Sequence, residues 1–450
     1  MSEVETFSVR GVIEGFYGTP WTHEERLDML VFLGRHGYNA YFYAPKDDLY
    51  LRDWWQRPHP QASLAKIAAL IAHAKFSGLV FHYCLSPGIS IQYANEDHLE
   101  SLLNKYRQLF DLGVRHFALL FDDIPAVLMH EQDRQQFASL AQAHAHVTNR
   151  LVSALAEWSH DNELIVCPTQ YHGSGHEPYV VELGQLLPPN IPLFWTGRFV
   201  CSPMLTESDT RRFVEATGHL PFYWDNYPVN DLAMSHELHI GPLRHREPFL
   251  YRQSAGYVAN AMEHAEASKI ALATIADYLR DPEGYDPEQS WQKAIEEVAG
   301  AEDAQRFRSF ADHVQSSCLT DLESPRLLES LHEFRFRFLY GNQEQAVQEL
   351  NLRFIEMEET ADALLTGMAN DKLKREIRPW LVKYWHWAKA GRLIAQLIAA
   401  GIEGRKLQAA TIYLQLRRWL KRTERLPQQV CGSVMKLFID AVLQEVAKQR

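Results

Sequence analysis

Residues 116–123 read His-Phe-Ala-Leu-Leu-Phe-Asp-Asp, an apolar run that ends in two adjacent carboxylates. A short apolar run with polar ends is typical of a buried strand. Burying a carboxylate costs several kcal/mol unless the group is paired or used, so Asp122 and Asp123 need a reason to stand at this strand end. Acid–base chemistry in a pocket is one explanation. A helix N-cap followed by a solvated acid is the other.

On both sides of this strand, apolar strand-like runs alternate with helical segments. The other predicted strands are residues 11–17, 38–44, 79–85, 164–168, 191–195, 220–224 and 257–260. One predicted helix begins at Thr22, where Glu25 completes a capping box, and another covers residues 134–158. This alternation indicates parallel strands joined by crossover helices, an α/β fold. About eight such units favour a (β/α)8 TIM barrel. A doubly wound open sheet is the competing fold, although no GxGxxG motif follows the first strand.

The character of the chain changes after about Asp281, where long amphipathic segments replace the strand pattern. We therefore predict two domains, a barrel over residues 1–285 and an all-α helical bundle over residues 286–450. Two successive helices of this bundle each have an apolar face. The first face consists of Leu373, Ile377, Trp380, Leu381 and Tyr384, and the second of Leu393, Ile394, Leu397 and Ile398. Tryptophans at helical spacing, such as Trp380, Trp385 and Trp387, belong to a core or interface more often than to a sugar platform.

Composition and charge exclude several classes of function. The chain has 450 residues, of which 46% are hydrophobic, so it can bury a large core. Its formal net charge of -12 argues against nucleic acid as a partner, because non-specific binding needs a basic surface. The five cysteines form no CxxC pair. No signal peptide is visible, and no apolar run nears the roughly 20 residues of a membrane span. We therefore expect a cytoplasmic protein without a membrane partner.

Polar groups follow almost every predicted strand, and several strand ends add an aromatic ring. In a barrel of this kind the loops at these strand ends build the active site. Fixed donors and acceptors beside an aromatic ring suit a sugar. The sequence has no HExxH motif, and Ser86-Pro87-Gly88 is not a nucleophile elbow, so we expect no metal, no cofactor and no serine triad. For Asp122 and Asp123 to reach one pocket, the backbone has to bend directly after Phe121.

Seven motif-like stretches follow one another along the chain: residues 11–21 (GVIEGFYGTPW), 43–48 (YAPKDD), 121–124 (FDDI), 167–171 (CPTQY), 195–197 (WTG), 224–231 (WDNYPVND) and 265–269 (AEASK). In this order they resemble the O-GlcNAcase family of β-N-acetylglucosaminidases, glycoside hydrolase family 84, also called hyaluronidase-like. The resemblance spans residues 8–280, and its first two stretches are long and specific. It implies a (β/α)8 catalytic domain followed by a helical domain. It also implies retaining cleavage of terminal β-linked N-acetylglucosamine (GlcNAc), including GlcNAc on protein Ser or Thr.

The resemblance also implies roles for nine residues. Asp122 would orient and polarise the acetamido group of the substrate, and Asp123 would be the general acid and then the general base. Tyr171 would lie beside the acetamido carbon, and Trp224 would form a wall of the pocket. The residues implied to hydrogen-bond the sugar are Lys46, Asn226, Asp231, Asn260 and the backbone of Gly15. Taken singly, Lys46 also fits a surface ion pair with Asp47 or Asp48, and Asn226 and Asp231 also fit a turn around Pro228.

Two adjacent aspartates suit a mechanism in which the acetamide oxygen of the sugar is the nucleophile, because no protein nucleophile is then required. We expect apolar surroundings and a nearby negative charge to keep Asp123 protonated. The alternatives are an endo-acting hydrolase of N-acetylated polysaccharide, such as hyaluronan or chitin, and a non-catalytic GlcNAc-binding protein. The expected partners are GlcNAc-bearing glycoconjugates or glycoproteins, and a second copy of the chain in a homodimer formed through the helical domain.

Overall fold

Eight parallel strands close into a barrel in the computed structural model, which describes residues 5–448. The strands are β1 (Arg10–Ile13), β2 (Ala40–Tyr43), β3 (Val80–Leu85), β4 (His116–Leu120), β5 (Glu163–Cys167), β6 (Leu193–Trp195), β7 (Pro221–Asp225) and β8 (Gly256–Asn260). Each strand pairs with the next, and β1 pairs with β8 through Gly11 and Val258. This last pairing confirms the barrel and excludes the open sheet, whose first and last strands do not meet. Residues 1–4, part of the stretch that we expect to lack a signal peptide, and residues 449–450 lie outside the described residues.

Helices connect the strands, as the alternating pattern predicts. They are α1 (His23–Arg35), α2 (Gln61–Phe76), α3 (Glu96–Asp111), α4 (Glu131–Gln136), α5 (Leu140–Trp158), α6 (Pro178–Leu186), α7 (Glu207–Thr217) and α8 (Ala265–Arg280). The capping box at the start of α1 is present: Glu25 N donates to Thr22 Oγ1 at 3.2 Å, and Thr22 N donates to Glu25 Oε2 at 2.7 Å. The single helix predicted over residues 134–158 is wrong. The chain forms α4 and α5 there, because Ser139 caps a new helix by accepting from Gln142 N at 3.1 Å.

The interior of the barrel is filled by side chains from alternate strand positions. On β4 the inward residues are Ala118 and Leu120, both buried. The same spacing of two places Asp122 next in the inward series, just beyond the end of the strand. β1 ends at Ile13, earlier than predicted, so Gly15 lies in the loop that follows it.

The chain beyond the barrel is helical, as predicted. Its helices are α9 (Pro287–Ala299), α10 (Ala304–Ala311), α11 (Pro325–Tyr340), α12 (Gln343–Gly367), α13 (Asp371–Ile402), α14 (Lys406–Thr423) and α15 (Val434–Lys448). The two apolar faces predicted on successive helices belong to one helix, α13, of 32 residues. Gly391 does not interrupt it. A Cβ at this position would lie 2.2 Å from Cδ1 of Phe354, so the glycine instead allows the close approach of α12.

Contacts divide the chain into two compact units. One comprises Met1–Leu232, Leu243–Ala265 and Leu272–Pro287, and the other comprises Ala233–Pro242, Glu266–Ala271 and Glu288–Arg450. We keep the limit between residues 285 and 286 as our proposal for the domain boundary. Over the described residues, no helix combines the length and the apolarity that crossing a membrane requires.

Candidate active site

The nine residues named from the sequence lie at the C-terminal end of the barrel strands and are linked by contacts. Gly15 follows β1, Lys46 follows β2, and Asp122 and Asp123 follow β4. Tyr171 follows β5, and the remaining four, Trp224, Asn226, Asp231 and Asn260, belong to the ends of β7 and β8 or the loop between them. This is the end of a barrel at which active sites form.

Asp122 and Lys46 form a buried ion pair through Asp122 Oδ2. The two residues are 7% and 6% exposed, which excludes the surface pairing of Lys46 with Asp47 or Asp48. Burial is the largest single effect and disfavours the charged ammonium, but the charge and hydrogen bond of Asp122, together with Tyr17 and Asp123, outweigh it and raise the pKa of Lys46 above 10.5. The second oxygen, Asp122 Oδ1, is buried and has no hydrogen-bond partner within residues 5–448. A buried acceptor of this kind is suited to an N–H group of a ligand.

Asp123 is exposed and has a left-handed backbone, with φ of 55°. This conformation provides the bend predicted after Phe121, and it turns Asp123 away from the regular strand direction. The two phenol hydroxyls of Tyr17 and Tyr171 donate to the carboxylate, at 2.8 Å to Oδ2 and 2.9 Å to Oδ1. The apolar surroundings expected for Asp123 are therefore wrong. The N-cap alternative is also excluded, because the next helix begins at Glu131.

Tyr17 and Arg52 also belong to this site, although neither was among the residues predicted from the sequence. Arg52 Nη1 donates to Tyr17 Oη at 2.6 Å, and its guanidinium lies 5.1 Å from the centre of the Tyr17 ring. Burial is the main cause that raises the pKa of Tyr17 to about 12, so the phenol keeps its proton at neutral pH. A signal for Tyr17 was present in the sequence, since an aromatic residue at a strand end is part of the sugar-pocket pattern. Arg52 has no such signal, because it lies inside a long loop.

Four of the predicted residues form a hydrogen-bonded wall. Asn226 Oδ1 accepts from Trp224 Nε1 at 3.0 Å and from Asn260 Nδ2 at 2.9 Å, and Asn260 Oδ1 accepts from Gly15 N at 3.2 Å. A Cβ at Gly15 would lie 2.5 Å from Trp224 Cζ2, so a residue without a side chain is needed there. Over residues 5–448, each asparagine nitrogen donates one of its two N–H groups to a protein acceptor. The other N–H of each is left for a ligand.

Asp231 joins the site through Tyr17, whose backbone N–H donates to Asp231 Oδ2 at 2.7 Å. Burial raises the pKa of Asp231 above 3.8, and the hydrogen bond from Tyr17 opposes that rise. Asp231 is therefore held by the β1 loop as well as by its own loop. Within residues 5–448, no three His, Cys, Asp or Glu side chains are grouped so that they could hold a metal ion.

Comparison with known proteins identifies the family. Residues 10–312 match the family model described as beta-N-acetylglucosaminidase, and residues 335–439 match the model described as hyaluronidase post-catalytic domain-like. Protein O-GlcNAcase from Rattus norvegicus is 32% identical over 276 residues, which cover 60% of this chain and 30% of the relative. The chain thus spans less than a third of that relative's length.

Solved structures with a similar fold match nearly the whole chain. A mutant of Thermobaculum terrenum O-GlcNAc hydrolase is 37% identical, with a TM-score of 0.94 over 98% of this chain and 95% of its own. The structure named CpGH84B is 28% identical, with a TM-score of 0.86 over 97% of this chain and 77% of its own. Because the family model matches more than half of this chain, the chain belongs to the β-N-acetylglucosaminidase family of glycoside hydrolases.

Proposed function

We propose that the protein is a retaining exo-β-N-acetylglucosaminidase that removes terminal β-linked GlcNAc by substrate-assisted catalysis. The observation that carries the proposal is the buried, unpartnered Oδ1 of Asp122, one residue before an exposed carboxylate held by two phenols. The two groups differ in environment as the two roles require. One is suited to an N–H group inside the pocket, and the other to a leaving group at its mouth.

In the first step, the acetamide oxygen of the substrate attacks the anomeric carbon while the bond to the leaving oxygen breaks. Asp122 Oδ1 accepts the acetamide N–H and stabilises the positive charge that develops there. Asp123 gives its proton to the leaving oxygen, and the product is a protonated oxazoline whose N–H stays hydrogen-bonded to Asp122. In the second step, Asp123 takes a proton from water, the water oxygen attacks the anomeric carbon, and the oxazoline opens with net retention.

Lys46, Asn226, Asp231, Asn260 and the backbone of Gly15 would hold the sugar hydroxyls in this scheme. Trp224 offers an apolar wall, and Tyr171 is held beside Asp123. The donors that the two asparagines retain support their part of the proposal.

The aglycone that we propose includes Ser or Thr of glycoproteins, since the matched rat relative is named protein O-GlcNAcase. The match of residues 335–439 to a hyaluronidase post-catalytic domain-like model favours testing an endo-acting hydrolase of N-acetylated polysaccharide as the second candidate. Turnover of hyaluronan or chitin that exceeds turnover of an aryl β-GlcNAc glycoside would favour that candidate. Binding of GlcNAc without any turnover would favour a non-catalytic protein.

We also propose a cytoplasmic location and a homodimer formed through the helical unit. Large apolar side chains exposed on α11 support the dimer. They are Phe336 at 65%, Leu339 at 59% and Tyr340 at 78% exposure.

The decisive experiment measures Asp123→Asn on two aryl β-GlcNAc glycosides that differ only in the acidity of the phenol. We expect turnover of the poor leaving group to fall by at least about 10³-fold, while the activated substrate falls far less, because it leaves without a proton. NMR of the first product should show the β-anomer. Asp111→Asn, at an exposed carboxylate, is the control. Equal losses on both substrates, an α-anomer product, or a trapped glycosyl ester would contradict the mechanism.

A further inference from the structure

Arg52 determines the direction of the hydrogen bond between Tyr17 and Asp123. A guanidinium has donors only, so Arg52 Nη1 must donate to Tyr17 Oη, at 2.6 Å. The phenol has a single proton, and Asp123 Oδ2 lies 2.8 Å from the same oxygen. With one lone pair engaged by Arg52, Tyr17 is directed to donate to Asp123 Oδ2.

Tyr171 is not constrained in this way. The Tyr171 hydroxyl lies 2.9 Å from Asp123 Oδ1, and within the described part of the chain this is the one hydrogen bond that the hydroxyl makes. Rotation about the C–O bond lets the Tyr171 hydroxyl either donate to Oδ1 or accept from it. The two oxygens of Asp123 therefore face different partners. The Tyr17 hydroxyl at Oδ2 donates, whereas the Tyr171 hydroxyl at Oδ1 can donate or accept.

We infer that Arg52 is a positioning residue which, by holding Tyr17 as a donor to Oδ2, assigns the acidic proton of Asp123 to Oδ1. The inference rests on the proposed function and specifies its proton transfer. In the first step the Oδ1–H bond breaks as the proton passes to the leaving oxygen, and Tyr171 turns to donate to the carboxylate that forms. In the second step Oδ1 takes a proton from water, and Tyr171 turns back.

The test compares Arg52→Met, Tyr17→Phe and the double variant on the same pair of aryl glycosides. Each single variant should lower kcat/KM about 10-fold on the poor leaving group and less than about 2-fold on the activated one. Because Arg52 acts through Tyr17, the double variant should be no slower than Tyr17→Phe alone. Arg52→Lys, which keeps a charged donor, should recover most of the loss. Arg57→Met is the matched control, since Arg57 lies in the same loop, exposed, 4.7 Å from the Trp54 ring centre.

The pH profile provides a readout that a purely structural role would not change. The ionisable groups that face Asp123 are Tyr17, Lys46, Arg52, Asp122, Cys167, Tyr171 and Asp231. Arg52 is a cation close to Asp123, so removing it should shift the basic limb of kcat/KM to higher pH. Arg57→Met should leave that limb in place.

Multiplicative losses in the double variant, or equal losses on both substrates, would overturn the inference about Arg52. So would an unmoved basic limb in Arg52→Met. The proposed function is tested separately by Asp123→Asn. If Asp123→Asn shows its expected dependence on the leaving group while Arg52→Met behaves like the control, only the role of Arg52 is refuted.

Discussion

Two kinds of buried carboxylate stand at the strand ends of this barrel. Glu14 after β1 and Asp225 at the end of β7 are 0% and 3% exposed, and every carboxylate oxygen has a partner. Glu14 accepts hydrogen bonds from Arg26, from the hydroxyl of Tyr41 and from the backbone N–H of Trp21, the last at 3.2 Å. Asp225 accepts from Arg246 at 2.8 and 2.6 Å and from the hydroxyl of Tyr257.

Asp122 is buried to a similar degree, but among residues 5–448 only its Oδ2 has a partner, Lys46. Burial therefore does not separate the acid that we propose to act in catalysis from the two fully paired acids. The number of paired oxygens separates Asp122 from these two acids. A buried acceptor without a partner destabilises the fold, and a ligand N–H could remove that cost at Asp122 Oδ1.

The largest effect that tests this difference is the loss of activity in Asp122→Asn. We expect kcat/KM to fall by about 10³-fold or more on activated and poor leaving groups alike, since acetamide attack accompanies the departure of either leaving group. The folded fraction should be verified by circular dichroism, because the substitution leaves Lys46 unpaired. Asp111→Asn should keep full activity. Activity within tenfold of the parent enzyme would refute the role given to the open oxygen.

Removing a buried carboxylate whose two oxygens both have partners should instead lower the stability of the fold. Asp225→Ala leaves the guanidinium of Arg246, only 1% exposed, without its counter-charge, and we expect the free energy of unfolding to fall by about 3–5 kcal/mol. Urea denaturation measures this change.

The matched control for this measurement is Asp111→Ala, which breaks an exposed pair with Arg107 whose side chains are 58% and 48% exposed. The cost there should stay below about 1 kcal/mol. A similar loss in both variants would remove the distinction between the two kinds of acid.

The sequence predicted the barrel and the position of Asp122 because both follow from local patterns, an apolar strand and its alternation with helices. The strand pattern by itself does not separate Asp122 from Glu14 or Asp225, since all three acids follow or end apolar runs, and it was the family resemblance that pointed to Asp122. Their partners Arg26 and Arg246 come from other elements, and pairing across elements leaves no periodic signal.

The surroundings of Asp123 were predicted wrongly for a different reason. The bend after Phe121 was predicted, but the positive φ with which Asp123 makes it, a conformation that aspartate tolerates, was not. The role of Arg52 likewise depends on a loop path that periodicity does not describe. Local propensity therefore located the strand end, whereas loop geometry decided which groups surround the acid.

A smaller effect is expected from His144, a fully hydrogen-bonded ring next to the end of β4. Its ring stacks on Phe121 with centroids 3.9 Å apart, and its two nitrogens contact the hydroxyls of Tyr179 at 2.7 Å and Tyr93 at 2.9 Å. Burial lowers the pKa of His144 from 6.5 to about 3, so the folded state holds the neutral ring.

In the unfolded chain His144 takes up a proton near pH 6.5, whereas in the folded state it does so only near pH 3. Its stabilising contribution is therefore complete above pH 6.5 and declines as the pH falls toward 3, with a loss of about 2 kcal/mol by pH 5. Urea unfolding of the parent protein and His144→Gln across this range isolates the effect, because the other buried histidines are common to both. The stability difference between the two proteins should shrink by that amount from pH 7.5 to pH 5. A constant difference would show that the Tyr93 and Tyr179 hydroxyls accommodate a charged ring, and that full hydrogen bonding does not by itself keep a buried group neutral.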